Sequence, residues 1–288
     1  MNRLLVIIVT YNAMPWAVRC FGSLQESTVP SDVFVVDNGS TDGTVDFIRD
    51  AYPEFILHCS KENLGFGRAN NIGMKYAVEK GYDYIYLLNQ DAWVMPETFS
   101  RLINAMESNP GFGVLSPMQM TSSMMEPDHR FKVKCLGHTW SDYQQDVVYE
   151  VPFVMAAHWL ISKECLNKVG GFSPAFRHYG EDDNWLHRAS YHGYRIGFLG
   201  GVCAVHDRES RKMSKAAAMR LKCVASIVKV SNPLSCLPLR LLFQPFELLC
   251  ISLLRMSFDV LRFIPGFIRS YPELIRIRRQ SETEHPFL

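Results

Sequence analysis

The chain has 288 residues, enough for one large domain or for a core with an appendage. Hydrophobic residues make up 48% and charged residues 20%, which excludes a disordered chain. The formal net charge of +1 argues against a dedicated nucleic-acid binder. That sum conceals a split, because residues 1–200 carry a net −6 and residues 201–288 a net +7. We therefore expect the two parts to face different partners.

The N-terminus and the cysteines favour a cytoplasmic protein. The apolar run 4–9 is shorter than the core of a signal peptide, so it predicts a buried strand. The eight cysteines are scattered without a Cys-x-x-Cys pair, which fits reduced packing residues better than a zinc or redox site. Since no run of 18 uncharged apolar residues occurs, no membrane span is predicted.

Strand and helix patterns alternate through the first 120 residues. Helices are predicted between the strands, with Gly81 ending the third and Pro96 starting the fourth. The alternation predicts an α/β fold with a mostly parallel sheet, in which ligands bind beyond the carboxyl ends of the strands. The predicted strands are 4–12, 32–38, 55–60 and 82–91, and polar residues stand at three of their ends: Thr10, Tyr11, Asn12, Asp37, Asn38, Asn89, Gln90 and Asp91.

The remaining segments complete a two-part organisation. Residues 117–150 are predicted to be an irregular insertion near the site, and the apolar run 153–162 is expected to turn His158 and Trp159 towards it. Strand-like residues 195–207 then close the core. We predict an α/β domain over residues 1–210 and a basic, amphipathic helical extension over residues 211–288.

Asp91 and His206 are candidate ligands for a divalent cation. Asp91 ends a run that predicts a central strand, where a buried, unpaired carboxylate would cost stability. Mg²⁺ or Mn²⁺ is held by one or two carboxylates together with substrate phosphates. The alternatives are that Asp91 forms a turn or a helix cap and that His206 is structural.

Asp37 and the segment 63–73 are candidates for nucleotide recognition. Asp37 either caps the turn that follows it or contacts a base or ribose. The Gly- and Asn-rich segment, which contains Arg68, is a weak signal for phosphate binding and matches neither Gly-x-Gly-x-x-Gly nor a Walker A loop.

Three adjacent acids, Glu181, Asp182 and Asp183, are the candidates for acid–base chemistry. Such a cluster is usually a solvated turn, but aromatic residues flank this one. Like charges held close together raise at least one pKa, which suits a general base.

Five motifs occur in a fixed order along the chain. They are VIIVTYNAMPWAVRCFGSLQEST, VVDNGSTDGT, NLGFGRANNIG, YIYLLNQDAWV and VGGFSPAFRHYGEDDNWLHR. Together they resemble the family 2 glycosyltransferases of the GT-A fold. The resemblance covers residues 1–210, and the branch looks like the rhamnosyltransferase-like enzymes that build bacterial surface polysaccharide.

The resemblance implies roles for individual residues. Asn89-Gln90-Asp91 stands where the family has Asp-x-Asp, with only the last acid present, and His206 matches a late histidine that completes the metal shell. Glu181-Asp182 matches the family's Glu-Asp pair, which makes Asp182 the candidate base. The implied residues on the nucleotide-sugar side are Thr10, Tyr11, Asn12, Asp37, Asn38, Arg68, Asn71, Asn89 and Gln90.

The implied reaction is an inverting, Mn²⁺- or Mg²⁺-dependent transfer from a nucleotide-diphosphate sugar to a hydroxyl of a glycan or lipid-linked acceptor. Nucleic acid is not an expected partner. A sugar nucleotidyltransferase is disfavoured because TYNAMPW, not a Gly-rich loop with Arg and Lys, follows the first strand. A non-catalytic glycan-binding subunit is disfavoured because Asp91, Asp182 and His206 occur together. A glycosidase is disfavoured by the nucleotide-type loops.

The basic C-terminal part has two interpretations. Residues 245–265 form a broad apolar pattern that predicts either a helix packed on the core or an interfacial helix on anionic lipid. The second would place the protein peripherally on the inner face of the cell membrane. Basic residues that favour it are Arg208, Arg211, Lys212, Lys215, Arg220, Lys222, Lys229, Arg269, Arg276, Arg278 and Arg279.

Overall fold

The computed structural model describes residues 2–208 and 214–288. Within these ranges a nine-stranded sheet is flanked by helices, and four further helices follow it. The strands are β1 Leu4–Thr10, β2 Asp32–Asp37, β3 Ile56–Cys59, β4 Tyr84–Asn89, β5 Ala92–Trp93, β6 Phe112–Met120, β7 Val148–Glu150, β8 His158–Ser162 and β9 Arg195–His206. The helices are α1 Met14–Gln25, α2 Thr44–Ala51, α3 Phe66–Lys80, α4 Thr98–Ser108, α5 His129–Cys135, α6 Lys163–Val169, α7 Glu181–Tyr191, α8 Lys215–Ser231, α9 Leu237–Arg255, α10 Phe258–Arg269 and α11 Tyr271–Ser281.

The sheet confirms the predicted α/β fold and adds antiparallel strands to it. Its order is β3-β2-β1-β4-β8-β6-β9-β5, with β7 also paired to β9. The first four strands are parallel, whereas β8 runs antiparallel to both β4 and β6. Thr10 lies opposite Asp37, and Val9 lies opposite Asn89. The carboxyl ends of three parallel strands therefore meet at one edge of the sheet.

Helices cover both faces of the sheet, and β1 shows why. Leu5 and Ile7 pack into the core cluster on one face, while Leu4, Val6 and Ile8 pack into the cluster on the other. Because alternate side chains of a strand point to opposite faces, a strand that is apolar at every position is buried on both sides. This central strand fixes the loop that follows Thr10.

The segment 112–120 is a strand that the sequence did not predict. The prediction of an irregular insertion over 117–150 is therefore wrong for residues 117–120, which belong to β6. The rest of this range also contains regular structure, helix α5 and strand β7, that was not predicted. All residues of β6 are buried. Pro117 has no N–H for a ladder, and the register of β6 against β9 shifts between Pro117 and Met118. A bulge of this kind lets a proline occupy an interior strand.

The C-terminal helices form their own small core and also pack on the α/β part. Buried residues of α8 to α11 include Val230, Leu248, Val260 and Phe267. The chain end returns to the first part, where Glu284 pairs with Lys168 and the Arg188 guanidinium lies 5.2 Å from the centre of the Phe287 ring. The predicted boundary at residue 210 lies outside the described residues, as do Arg211 and Lys212, and the division into two domains stays a prediction.

The helix predicted over 245–265 is two helices. Met256, at φ 48°, ends α9 in a left-handed turn, and α10 begins two residues later. In the described part of the chain, α9 is the one helix long and apolar enough to cross a membrane, judged by length and composition. The sequence expectation of no span did not identify it, because Arg240, Glu247 and Arg255 leave no run of 18 uncharged residues in this helix.

Arg278 does not contribute to the basic surface that the sequence predicted. It is 7% exposed, and its guanidinium donates hydrogen bonds to the backbone oxygens of Pro233 and Ser235. Arg278 instead ties α11 to the loop between α8 and α9. The eight cysteines all lie in the described ranges and are unpaired; six are buried or partly buried, whereas Cys59 and Cys236 are exposed and do not act as packing residues.

Candidate active site

A cleft of about 310 Å³ lies at the carboxyl ends of β1 and β4, facing the start of α7. It brings together residues that are more than 190 positions apart in the chain. Eight predicted site residues line it: Tyr11, Asn38, Asn89, Gln90, Asp91, Glu181, Asp182 and His206. Five others do not: Thr10, Asn12, Asp37, Arg68 and Asn71.

Asp37 and Thr10 form the buried support of the cleft. The Thr10 hydroxyl donates to Asp37 Oδ2 at 2.8 Å, and the backbone N–H groups of Gly39 and Ser40 donate to Oδ1 at 3.1 and 2.9 Å. The Ser40 hydroxyl also donates to Oδ2. Asp37 is 1% exposed, so it is a structural residue and not a surface of the cleft. Through these hydrogen bonds its carboxylate holds the turn after β2 and thereby orients Asn38.

Two amide side chains fasten the loop after β1. Asn12, in a left-handed conformation, accepts a hydrogen bond from the backbone N–H of Thr41 at 2.9 Å. Gln90 accepts from the backbone N–H of Tyr11 at 2.7 Å and donates to its carbonyl at 3.2 Å. These contacts hold the half-exposed Tyr11 ring at the rim of the cleft.

The structure places Arg68 and Asn71 on α3, away from the cleft lining. Arg68 is exposed. The Asn71 side chain accepts from the backbone N–H of Phe172 at 2.7 Å and donates to the carbonyl of the same residue at 2.9 Å. Asn71 therefore fastens α3 to the segment that leads to α7.

Asp91 and His206 form the part of the cleft that suits a divalent cation. His206 Nε2 lies 3.8 Å from Asp91 Oδ1, and both side chains are almost fully buried. Two ligands held ~2.1 Å from one ion lie between ~3.0 and ~4.2 Å apart, depending on their angle. Nearby Asn89 Oδ1 is buried without a hydrogen-bond partner among the described residues.

This donor set fits an ion that is shared with substrate. The described residues contain no group of three or more His, Cys, Asp or Glu side chains able to enclose a metal. Mg²⁺ and Mn²⁺ keep several waters and take phosphate oxygens when a protein offers only one or two ligands. The site thus suits a metal–diphosphate unit better than a permanently bound ion.

The acidic cluster begins α7 and follows a strained turn. Tyr179 has φ 68° and Gly180 φ 84°, both in the left-handed region. A Cβ built on Gly180 would lie 2.7 Å from Val224 Cγ1 and 2.9 Å from Val228 Cγ2, both on α8. Glycine is therefore needed where α8 presses on the turn that carries the carboxylates.

Burial and mutual repulsion change the acidity of this cluster. Burial, followed by the negative charge of Asp182, raises the pKa of Glu181. Burial, followed by the charge of Asp183, raises the pKa of Asp182, while the positive charge of Arg130 opposes this effect. Glu181 Oε2 is also buried with no hydrogen-bond partner in the described part of the chain. These are the conditions under which a carboxylate serves as a proton acceptor near neutral pH.

The sequence did not identify two arginines that line the cleft. Arg208 donates to both carboxylate oxygens of Asp128 at 2.8 Å, and Asp128 Oδ1 also caps the N-terminus of α5. Helix α5 carries Arg130, whose guanidinium lies 5.2 Å from the centre of the Phe153 ring. The available signal was Asp128 as an N-cap, which places Arg130 in the first turn of a helix.

His158 and Trp159 do not face the cleft, so that expectation is wrong. His158 is fully buried, with Nδ1 2.9 Å from the Tyr86 hydroxyl and Nε2 2.8 Å from the Val205 carbonyl. Burial lowers its pKa to about 4. Trp159 donates to the Val154 carbonyl at 3.0 Å. Both side chains are buried because β8 is a central strand of a sheet that is covered on both faces.

Comparison with known sequences identifies the family. The model of the family described as glycosyl transferase family 2 matches residues 5–170, more than half of the chain. The chain belongs to glycosyl transferase family 2. The matched segment includes the strand ends that carry Asn38 and Asp91 and ends before α7. The assignment of Glu181 and Asp182 to this family 2 site therefore rests on their position in the cleft, not on the family match.

Two curated relatives cover most of the chain. An N-acetylglucosaminyl-diphospho-decaprenol L-rhamnosyltransferase of Mycobacterium tuberculosis is 28% identical over 70% of this chain and 75% of its own. A dTDP-rhamnosyl transferase of Shigella flexneri, RfbF, is 23% identical over 71% of this chain and 69% of its own. An undecaprenyl-phosphate mannosyltransferase of Micrococcus luteus is 34% identical, over 37% of this chain and 45% of its own.

Solved structures of glycosyltransferases confirm the GT-A fold of this family 2 chain. The 1–349 fragment of Staphylococcus aureus TarS superposes with a TM-score of 0.60 and 16% identity, covering 97% of this chain and 90% of the fragment. The mannosyltransferase PcManGT of Pyrobaculum calidifontis, solved with GDP-Man and Mn²⁺, superposes with a TM-score of 0.56 and 18% identity, covering 97% and 86%.

Proposed function

We propose that the protein is an inverting glycosyltransferase that moves a sugar from a nucleotide-diphosphate donor to a hydroxyl of a lipid-linked glycan. One observation carries this proposal. A single cleft holds the Asp91–His206 pair at one strand end and, at the start of α7, the buried Glu181 beside the partly buried Asp182. The first pair suits a diphosphate and the second suits the removal of a proton from a hydroxyl.

The donor side of the cleft is built on the ends of β1, β2 and β4. Asn38 and Tyr11 line this side, supported by Asp37 and Gln90, and would contact the nucleoside. Asp91 and His206 would hold Mn²⁺ or Mg²⁺. When bound, such an ion offsets the negative charge that develops on the leaving diphosphate.

The acceptor side is the start of α7. Asp182 takes the proton from the acceptor hydroxyl, and the freed oxygen attacks the anomeric carbon from the face opposite the diphosphate. The bond to the diphosphate breaks as the new glycosidic bond forms, so one displacement inverts the anomeric configuration. Glu181, which burial disfavours as a carboxylate, stays protonated and limits the negative charge beside Asp182.

The two relatives that cover most of the chain indicate which substrates to test first. Both are rhamnosyltransferases by name, and one acts on a diphospho-decaprenol carrying N-acetylglucosamine. We therefore assign dTDP-L-rhamnose as the first donor to test and a polyprenyl-diphosphate-linked sugar as the first acceptor.

A donor panel tests this function. The purified chain is incubated with Mn²⁺, a polyprenyl-diphosphate-linked sugar and, in turn, dTDP-, UDP- and GDP-sugars, and the lipid-linked product is measured by mass spectrometry. We expect one donor class to give a product heavier by one sugar residue. A parallel incubation supplies a nucleoside triphosphate and a sugar phosphate, and release of diphosphate there, with no glycan product from the panel, would instead identify a nucleotidyltransferase.

Replacing Asp183 should shift the pH dependence of the transfer rate. Because the charge of Asp183 raises the pKa of Asp182, Asp183→Asn should lower that pKa and move the acidic limb of kcat/KM to lower pH. Arg130→Gln should move the same limb to higher pH, because the guanidinium favours the ionised carboxylate. The measurement is a pH–rate profile for each variant. Shifts of the same sign in both variants would contradict Asp182 as the group that titrates.

Gly180 should be required for activity more than for folding. In Gly180→Ala the new methyl group would meet Val224 and Val228, and the turn before Glu181 would have to move. A misplacement of about 1 Å at a reacting group lowers turnover by about a hundredfold. The matched control is Gly193→Ala, at the other end of α7, where φ is +87° and no atom lies within 4 Å of the new Cβ.

Both alanine variants carry the same backbone strain, about 1–2 kcal/mol, and Gly180→Ala adds the cost of crowding Val224 and Val228, about 1–3 kcal/mol, so its melting temperature should fall further than that of Gly193→Ala. Turnover should fall in Gly180→Ala alone. Equal turnover in the two variants would show that α8 does not position the carboxylates.

A further inference from the structure

The outer side of α9 is a continuous apolar stripe. Its residues are spaced three and four apart, so they share one face of the helix. Each is between 38% and 69% exposed: Leu239, Leu242, Phe243, Phe246, Leu249 and Leu253. Leu254 and Met256, at the end of the helix, are more than 80% exposed. No described residue of the protein covers this stripe, although large apolar side chains at this density are normally buried.

The stripe continues onto α10. One open groove of about 700 Å³ is lined by Leu261, Ile264 and Pro265 of α10 and by four stripe residues of α9, Leu242, Phe243, Phe246 and Leu249. Phe258, the first residue of α10, is 74% exposed beside it. The two helices therefore present a single apolar surface, which we call the α9–α10 surface.

The charged residues of these helices are distributed unevenly. Glu247, the one acid of α9, is partly exposed and accepts hydrogen bonds from Lys229 of α8 at 2.6 and 2.8 Å, so it lies on the side of α9 that faces α8. The exposed charges next to the α9–α10 surface are Arg255, Arg262 and Arg269 against Asp259. An apolar face bordered by a net positive charge is complementary to a surface that is apolar inside and anionic at its edge.

We propose that the α9–α10 surface binds an anionic lipid bilayer, with α9 lying in the interface. Packing supports an interfacial position over a span. Gln244, Leu248 and Ser252 of α9 are buried against the protein, and the Lys229–Glu247 ion pair lies on the same side. A helix that crossed the bilayer would have to leave these partners.

A second copy of the chain is a poorer occupant. In a two-fold symmetric contact the same surface of both copies meets, so the arginines of one copy would approach those of the other. A bilayer with anionic headgroups pairs with the arginines and accepts the leucines and phenylalanines at the same time.

The bilayer would then be coupled to the cleft through α8. Helix α8 packs against α9 through the Lys229–Glu247 pair and against the carboxylate-bearing turn through Val224 and Val228. This arrangement would hold the cleft at a fixed height over the membrane. The lipid proposal itself is independent of the proposed function, because binding is measured without any sugar substrate.

Vesicle flotation tests the proposal. The full chain should float with phosphatidylcholine vesicles containing one-third phosphatidylglycerol, and less with phosphatidylcholine alone. The double variant Leu242→Asp/Phe246→Asp should remain in the dense fraction. Val18→Asp is the matched control, because Val18 is 65% exposed on α1, away from the α9–α10 surface, and this variant should float like the parent.

The charge contribution is measured separately. Changing Arg255, Arg262 and Arg269 to Gln should reduce the partition coefficient onto the anionic vesicles by about a hundredfold, since each arginine near such a surface contributes about 1 kcal/mol. An unchanged melting temperature for each variant shows that the fold is retained. Absence of the parent from the floated fraction would overturn the proposal. The proposal would also be overturned if the parent did not float and formed a dimer in light scattering, and if the double variant were monomeric.

The depth of α9 is measured with a tryptophan. In Phe246→Trp, lipids brominated near the headgroup should quench the new fluorescence more strongly than lipids brominated near the chain ends, because interfacial helices lie about 5–10 Å deep. The parent, which has no tryptophan on α9 or α10, gives the background signal. Stronger quenching by the deep label would overturn the interfacial position and indicate a span.

Discussion

Asp182→Asn should lower the turnover number of sugar transfer by about 10²–10⁴-fold, the contribution typical of a general base. The amide has nearly the shape of the carboxylate but cannot accept the proton of the acceptor hydroxyl. Donor binding should be unchanged, because Asp91, His206 and Asn38 remain in place on the opposite side of the cleft. Single-turnover transfer and calorimetric titration of the donor separate these two effects.

The matched control for this variant is Asp183→Asn. Asp183 is the next residue of the same helical turn, and burial raises its pKa as well. It does not line the cleft, so Asp183→Asn should retain nearly full turnover at neutral pH. Near-normal turnover in Asp182→Asn, or equal loss in both variants, would exclude Asp182 as the base.

Asp91→Ala should abolish the metal dependence of donor binding. Of the Asp91–His206 pair only the imidazole would remain, and loss of a ligand or its support lowers metal affinity by about 10–100-fold or more. Binding of Mn²⁺ in the presence of the nucleoside diphosphate is followed by the loss of the free-ion signal in electron paramagnetic resonance, a readout that needs no activity.

Asp50→Ala is the control for the metal experiment, because Asp50 is an exposed carboxylate on α2, outside the cleft. It should bind Mn²⁺ with nucleotide as the parent does. Transfer by the parent that is insensitive to EDTA would contradict a metal held by Asp91 and His206.

The sequence predicted the donor side of the site because of local patterns. Apolar runs that end in Thr10, Asp37 and Asn89 predict parallel strands, and parallel strands bring their carboxyl ends to one edge. It did not predict which of these side chains face the cleft. Asp37 is buried, and four donors converge on its carboxylate; three of them belong to Gly39 and Ser40, which also look like turn formers.

The sequence could not place residues whose position depends on distant partners. Arg130 reaches the cleft because Arg208, 80 positions from Asp128, fixes the start of α5. Strand β6 was not predicted because it contains Pro117, and a proline is rarely found inside a central strand. In the C-terminal part, the sequence predicted Arg278 and Lys229 to be surface charges. In the structure Arg278 donates to backbone oxygens, and Lys229 forms an ion pair with Glu247.

The configuration of the product is the most direct test of the central claim. The active donor is used in transfer to a polyprenyl-diphosphate-linked sugar, and the anomeric configuration of the transferred sugar is determined by nuclear magnetic resonance. A single displacement with Asp182 as the base predicts a configuration opposite to that of the donor. A product that retains the configuration of the donor, or transfer that persists in Asp182→Asn, would contradict it.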